Sequence, residues 1–236
     1  MKNIFTVLLL LFCFAAPSFA NSGGEIDWSK VSEKTKMALY DAQQEMTKNN
    51  YNKAIDLLLK FQIKRPEYNH FLVDFNIGTA YGFLGDIDKA IEHLEKALAL
   101  DKSYGPLWMN LGKLYYQKRD FVKAATAIEQ GFALSPQKEP EVLFMAMACY
   151  YQANNLEKTI ELGRELVFTY HWEKNDIVGI LASAYIAKGN LPEAIAMIKK
   201  ITEHDPGNDA YWKQIAQAYF KNQQFKDATI AYEIFG

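Results

Sequence analysis

Cysteine is almost missing from this 236-residue chain, which has only Cys13 and Cys149. Two such residues cannot supply a disulfide framework or a cysteine-based zinc cluster. An excess of charge is missing too: 26 Lys+Arg against 28 Asp+Glu leave a net −2, so the basic footprint of a nucleic-acid binder is absent. Glycine-rich phosphate loops, a Gly-x-Ser-x-Gly elbow and Asn-x-Ser/Thr sequons do not occur. The four histidines, His70, His93, His171 and His204, include no i, i+4 pair. Catalytic residues, metal ligands and cofactors are therefore not expected. His171-Trp172-Glu173 is expected in a connection at the surface, and Cys149, between Met147 and Tyr150 in a helix, as a packed thiol. What the chain does have is 50% hydrophobic and 23% charged residues, enough to bury a core.

Beyond residue 20 no apolar run approaches the roughly 20 residues of a membrane helix. The first twenty residues combine Lys2, an apolar run from Ile4 to Ala16, and the small residues Ser18 and Ala20 flanking Phe19. That is the pattern of a secretory signal peptide (1–20) cut after Ala20. Phe12 ahead of Cys13 argues against lipid attachment there. Removing Lys2 leaves 25 Lys+Arg against 28 Asp+Glu, a net −3. The expected address is the periplasm, with secretion as second choice. Residues 21–34 read as a leader and the start of a first helix, with Ser29 as a candidate cap near Lys30. Ile26 and Trp28 are expected to pack against the first helical unit.

From residue 35 a pattern repeats. Between Pro106 and Pro136 it reads as helix, turn, helix, with Trp108, Leu111-Gly112, Tyr115, Ala124 and Ile128 at fixed positions. Its neighbours carry Ile77-Gly78, Tyr81 and Ala90; Ala146-Met147, Tyr150 and Thr159; Leu181-Ala182, Tyr185 and Ala194; Ile215-Ala216, Tyr219 and Ala228. The first unit is degenerate, with Asp41-Ala42 for the small pair and Glu45 for the tyrosine. Steps run 36 (Ala54 to Ala90), then 34, 35, 35 and 34 from Tyr81 through Tyr115, Tyr150 and Tyr185 to Tyr219. This gives six units, at about 35–68, 71–104, 105–138, 140–173, 175–208 and 209–236, the last incomplete. Gly, Asn and Asp are expected at the turns, at Asn50, Gly85-Asp86, Asn154-Asn155 and Gly189-Asn190. Pro66, Pro136 and Pro206 close units.

A period of 34 to 36 with these residues resembles the tetratricopeptide repeat over nearly all of the mature chain. The resemblance implies an all-α fold, a right-handed α-solenoid of about six helix-turn-helix units. Its concave face, lined by first helices, would hold a partner's peptide or helix. Carried over position by position, that face takes in Asn76 and Thr79 of the second unit and Asn110 and Lys113 of the third. Phe83, Tyr116, Gln117, Tyr151 and Gln152 fall near the groove end of the same helices. The clamp that family members use for acidic C-terminal peptides would fall on Phe75, Thr79, Asn110, Glu141 and Met145. Only Asn110 matches, so that clamp is not expected.

The functional expectation is a non-enzymatic scaffold or adaptor in the bacterial envelope that holds a protein or peptide partner. Neither nucleic acid nor a stable membrane span in the mature chain is expected. The alternatives are a structural homo-oligomer formed through the open C-terminal end, or a repeat domain of a longer envelope transport or secretion protein.

Overall fold

The computed structural model describes residues 26–204, 213, 216–220 and 223–229. The signal segment, the leader before Ile26, and Pro206, Trp212 and Ile215 lie outside the described residues. Within them the fold is all-α, as expected, and it divides into two compact bodies between Glu139 and Pro140. The first body holds α1 (Glu33–Thr47), α2 (Tyr51–Lys64), α3 (Phe71–Leu84), α4 (Ile87–Leu100), α5 (Gly105–Gln117) and α6 (Phe121–Leu134). The second holds α7 (Pro140–Gln152), α8 (Leu156–Arg164), α9 (Asn175–Lys188), α10 (Leu191–His204) and parts of a further pair.

Every hairpin turns the same way. A left-handed residue ends its first helix: Asn49, Gly85, Arg119, Asn154, Gly189 and Gln223, with φ between 56° and 80°. The next N–H then reaches back to the carbonyl of the tyrosine position, Asn50 to Glu45, Asp86 to Tyr81, Asp120 to Tyr115, Asn155 to Tyr150, Asn190 to Tyr185 and Gln224 to Tyr219, at 2.9–3.0 Å. This is a Schellman closure, which satisfies carbonyls the helix end leaves open. Arg119 and Gln223 stand where glycine or asparagine is expected, and they accept the left-handed backbone at a cost of about 1–2 kcal/mol each. In the first hairpin the left-handed residue is Asn49, one before the expected Asn50.

The second helices start on a side-chain cap. Asp86, Asp120 and Asn155 accept the N–H of Lys89, Lys123 and Lys158, each at 3.2 Å. Asn50 makes no such cap, because its amide donates to the Glu45 carboxylate at 2.9 Å. Lys53 and Lys48 stand 3.2 and 3.4 Å from the same carboxylate. Asn50 and these lysines hold the Glu45 carboxyl below the usual range, so the charged form occupies the place of the missing aromatic ring.

Small residues bring the two helices of a hairpin together. Ala54, Ala90, Ala124 and Ala194 are fully buried. A Cβ on Gly78 would lie 2.9 Å from the Ala90 carbonyl oxygen, and one on Gly112 would lie 2.6 Å from Ile128 Cγ1. Thr159 takes the alanine place in α8 without loss because its hydroxyl donates to the Asn155 carbonyl at 2.8 Å.

One local expectation changes, and one connection departs from the others. Ser29 is not a helix cap: Asp27 accepts its N–H at 3.1 Å and its hydroxyl at 2.5 Å, folding Trp28–Lys30 into a 3-10 turn. The cap is Ser32, whose hydroxyl accepts the Thr35 N–H at 3.0 Å, and α1 begins at Glu33. The fourth unit has no closing proline. Its second helix instead ends in a π-helical turn, Glu165–Thr169, and the Trp172 N–H returns to the Leu166 carbonyl at 2.9 Å. His171, at φ 51°, lies in that exposed connection, where it was expected.

Two substitutions test the hairpin from opposite sides, read as denaturant midpoints at unchanged slope. Gly112→Leu overpacks the α5–α6 contact and lowers stability by about 1–3 kcal/mol. Arg119→Gly removes the left-handed strain and raises stability by about 1 kcal/mol. A lower midpoint for Arg119→Gly would show that the arginine side chain contributes more there than its backbone costs.

Candidate partner-binding face

On α1, Lys36, Leu39, Tyr40 and Gln43 are spaced at i, i+3, i+4 and i+7 and so share one helical stripe. One unit later, 36 residues on, the same places on α3 hold Leu72, Phe75, Asn76 and Thr79. These two stripes bound a cleft of about 520 Å³ in the first body. Its lining is Lys36, Leu39, Tyr40 and Gln43 from α1, Leu72, Phe75 and Asn76 from α3, Tyr104, and Ile26 and Trp28 of the leader. The volume lies within the range of small binding pockets.

The floor is preformed. Leu39 and Leu72 are buried, and the Phe75 ring meets Tyr104 edge-on with centroids 5.3 Å apart. Tyr104 also packs on Phe71 at 5.4 Å, and burial raises the pKa of its phenol. The walls are open: Tyr40 is 65% exposed and Trp28 49%. Asn76 donates one amide hydrogen to the Leu72 carbonyl at 2.8 Å, which fixes its side chain beside the cleft.

The other residues singled out in the sequence divide between this stripe and the turn end of the helices. Thr79 donates to the Phe75 carbonyl at 2.8 Å and accepts from the Asn110 amide at 3.2 Å, joining α3 to α5. Asn110 is half-buried and Lys113 buried, and that burial lowers the lysine's pKa. Phe83 stacks on Tyr51 of α2, centroids 4.9 Å apart, and Tyr116 meets Phe121 of α6 edge-on at 5.7 Å. Gln117 is exposed. In the second body Tyr151 is half-buried and Gln152 exposed at the end of α7. Sequence reasoning did not reach Tyr40, Gln43 or Tyr104. The first two were legible as the places 36 residues before Asn76 and Thr79, but the degenerate first unit hid the register.

Elsewhere Asp74, His93 and Cys149 serve the interior. Asp74 is buried, with one oxygen 2.8 Å from His93 Nδ1 and the other accepting from Gln62 Nε2 at 2.9 Å, which ties α2, α3 and α4 together. The Tyr81 ring stacks on His93 at 5.7 Å. Burial pushes the Cys149 thiol up to about 12. Among the described residues no group of three or more His, Cys, Asp or Glu is placed to hold a metal ion, and no helix is long and apolar enough to cross a membrane.

Hairpins of this geometry, repeated at 34 to 36 residues, define an α-solenoid. The tetratricopeptide-repeat family model matches residues 84–142 and 185–232. Tetratricopeptide repeat protein 37 of Xenopus laevis is 27% identical over 139 residues, covering 55% of this chain and 9% of that protein. A TPR repeat-containing protein of Pseudomonas aeruginosa is 37% identical over 62 residues, 26% of this chain and 59% of that one. The chain thus spans less than two thirds of the length of either curated relative. Two crystal structures share the fold. A tetratricopeptide repeat protein from Parabacteroides merdae gives a TM-score of 0.55 at 16% identity, over 86% of this chain and 78% of that one. YrrB, described as a TPR protein with an unusual peptide-binding site, gives 0.56 at 16%, over 75% and 90%. The family model, the curated relatives and the shared fold together support a tetratricopeptide-repeat protein.

The Cys149 environment makes a chemical prediction. At pH 8 the folded chain leaves Cys149 unmodified by a maleimide, as read by peptide mass mapping, and denaturant restores labelling. Fast labelling of the native chain would mean that α7 opens locally.

Proposed function

We propose that this chain is an exported, non-enzymatic adaptor of the bacterial envelope that holds a segment of a partner protein against the stripe of its first helices. The observation that carries this reading is the open cleft between the α1 and α3 stripes, floored by aromatic rings and walled by exposed ones. A closed core would have filled that space with its own side chains. Fold and family favour a protein partner, since helical repeats commonly present such stripes as extended binding surfaces. The peptide-binding site reported in YrrB's description lends the same fold a precedent. Lys2, the apolar run after it and Ser18-Phe19-Ala20 support export, and with it a periplasmic address.

Photoreactive residues at Asn76 and Asn110 test this in the native envelope, with Lys96 and Lys123 on second helices as controls. The expected outcome is one set of proteins captured from the first-helix positions and not from the controls. Equal capture at all four positions would sink the reading. N-terminal sequencing of the chain recovered from the periplasmic fraction checks the export step, with Asn21 as the expected first residue.

A further inference from the structure

Among the described residues that line the cleft, Lys36 alone is charged at neutral pH. The other polar liners are the amides of Gln43 and Asn76 and the phenols of Tyr40 and Tyr104, and no carboxylate is among them. Lys36 pairs with Glu33 at 2.6 Å, but the Glu33 side chain is 82% exposed. Such a solvent-screened pair contributes little and exchanges readily for another carboxylate. Around it stand aromatic and aliphatic surfaces from four separate parts of the chain, with Ile26 and Trp28 of the leader as one wall.

Resting on the adaptor reading, we propose that the leader is a functional part of the site. The cleft it walls takes a bulky apolar side chain of the partner segment with an adjacent carboxylate, the ring or branched chain against Trp28, Phe75 and Tyr104 and the carboxylate on Lys36. Charge complementarity favours this occupant: an incoming carboxylate can exchange for the exposed Glu33 on Lys36, whereas a basic side chain would find no carboxylate among the lining residues. The family's clamp for acidic tails does not supply this chemistry, since of its positions only Asn110 matches. Lys36 is the first residue of the α1 stripe, at the N-terminal end of the solenoid face.

Titration of the ¹⁵N-labelled mature chain, followed at the Trp28 indole resonance, tests the proposal. The probes are the blocked peptide acetyl-Gly-Ser-Phe-Glu-Gly-Ser-amide and its counterparts with Gln or Lys in place of Glu. The acidic peptide is expected to bind about fivefold more tightly than the Gln peptide, the upper end for an exposed ion pair, and more tightly still than the Lys peptide. Lys36→Gln should erase the acidic peptide's preference over the Gln peptide. Trp28→Ala, read at the Tyr40 amide, should weaken all three peptides. Equal affinities, or no saturable shift into the millimolar range, would overturn the proposal. Selective partner capture at Asn76 and Asn110 alongside such a result would leave the adaptor reading standing and move the contact elsewhere on the stripe.

Discussion

The structure depends on one backbone closure, repeated six times among the described residues. At each hairpin a left-handed residue lets the next N–H return to the carbonyl of the tyrosine position, which fixes where the first helix ends and the second begins. Because the closure uses backbone groups, it survives when the side chains around it change. Glu45 accepts the same hydrogen bond as Tyr81 or Tyr115, although its side chain lies in a cluster of Asn50, Lys48 and Lys53 instead of a ring stack. The rings elsewhere gain a second tie: Lys89 sits 5.2 Å over Tyr81, and Lys123 lies at the same distance over Tyr115.

This explains what could be read from the sequence. Side chains that must be small for packing, such as Gly78, Gly112 and Ala124, recur at one period because a Cβ or a larger group there would strike the facing helix. Hence the hairpins and their period were legible. The turn residues were less so, since the left-handed position fixes geometry and only favours glycine or asparagine. Arg119 and Gln223 bear the strain, and the closure persists without the expected residue. Ser29 misled for a related reason: a serine near a helix start caps only if its backbone is extended, and Asp27 had already folded it into a 3-10 turn.

The binding face was half legible. The places of Asn76, Thr79, Asn110 and Lys113 come from the period, but their chemistry does not. Asn110 and Thr79 spend polar groups on each other, and Lys113 is buried. Those relations depend on which neighbouring helix a side chain meets, which no single stripe records. Tyr104 shows the same limit. It precedes α5 in sequence, yet its ring serves the α3 stripe through Phe71 and Phe75.

Degeneracy and openness meet in the first unit. Interior positions of a repeat array answer to a neighbour on each side, which holds their residues close to the common pattern. The α1 stripe answers on one side only, to α3. On the other it meets the leader, through Ile26 and Trp28. There Tyr40 and Gln43 replace the Asn76–Thr79 and Asn110–Lys113 pairs of later units; Tyr40 stays largely exposed where Asn110 is half-buried, and Gln43 is exposed where Lys113 is buried. In the α1 stripe the residues free of packing duty therefore stand where the surface is open. A segment bound there would displace water from the exposed Trp28 and Tyr40 rings and would exchange only the solvent-screened Lys36–Glu33 pair.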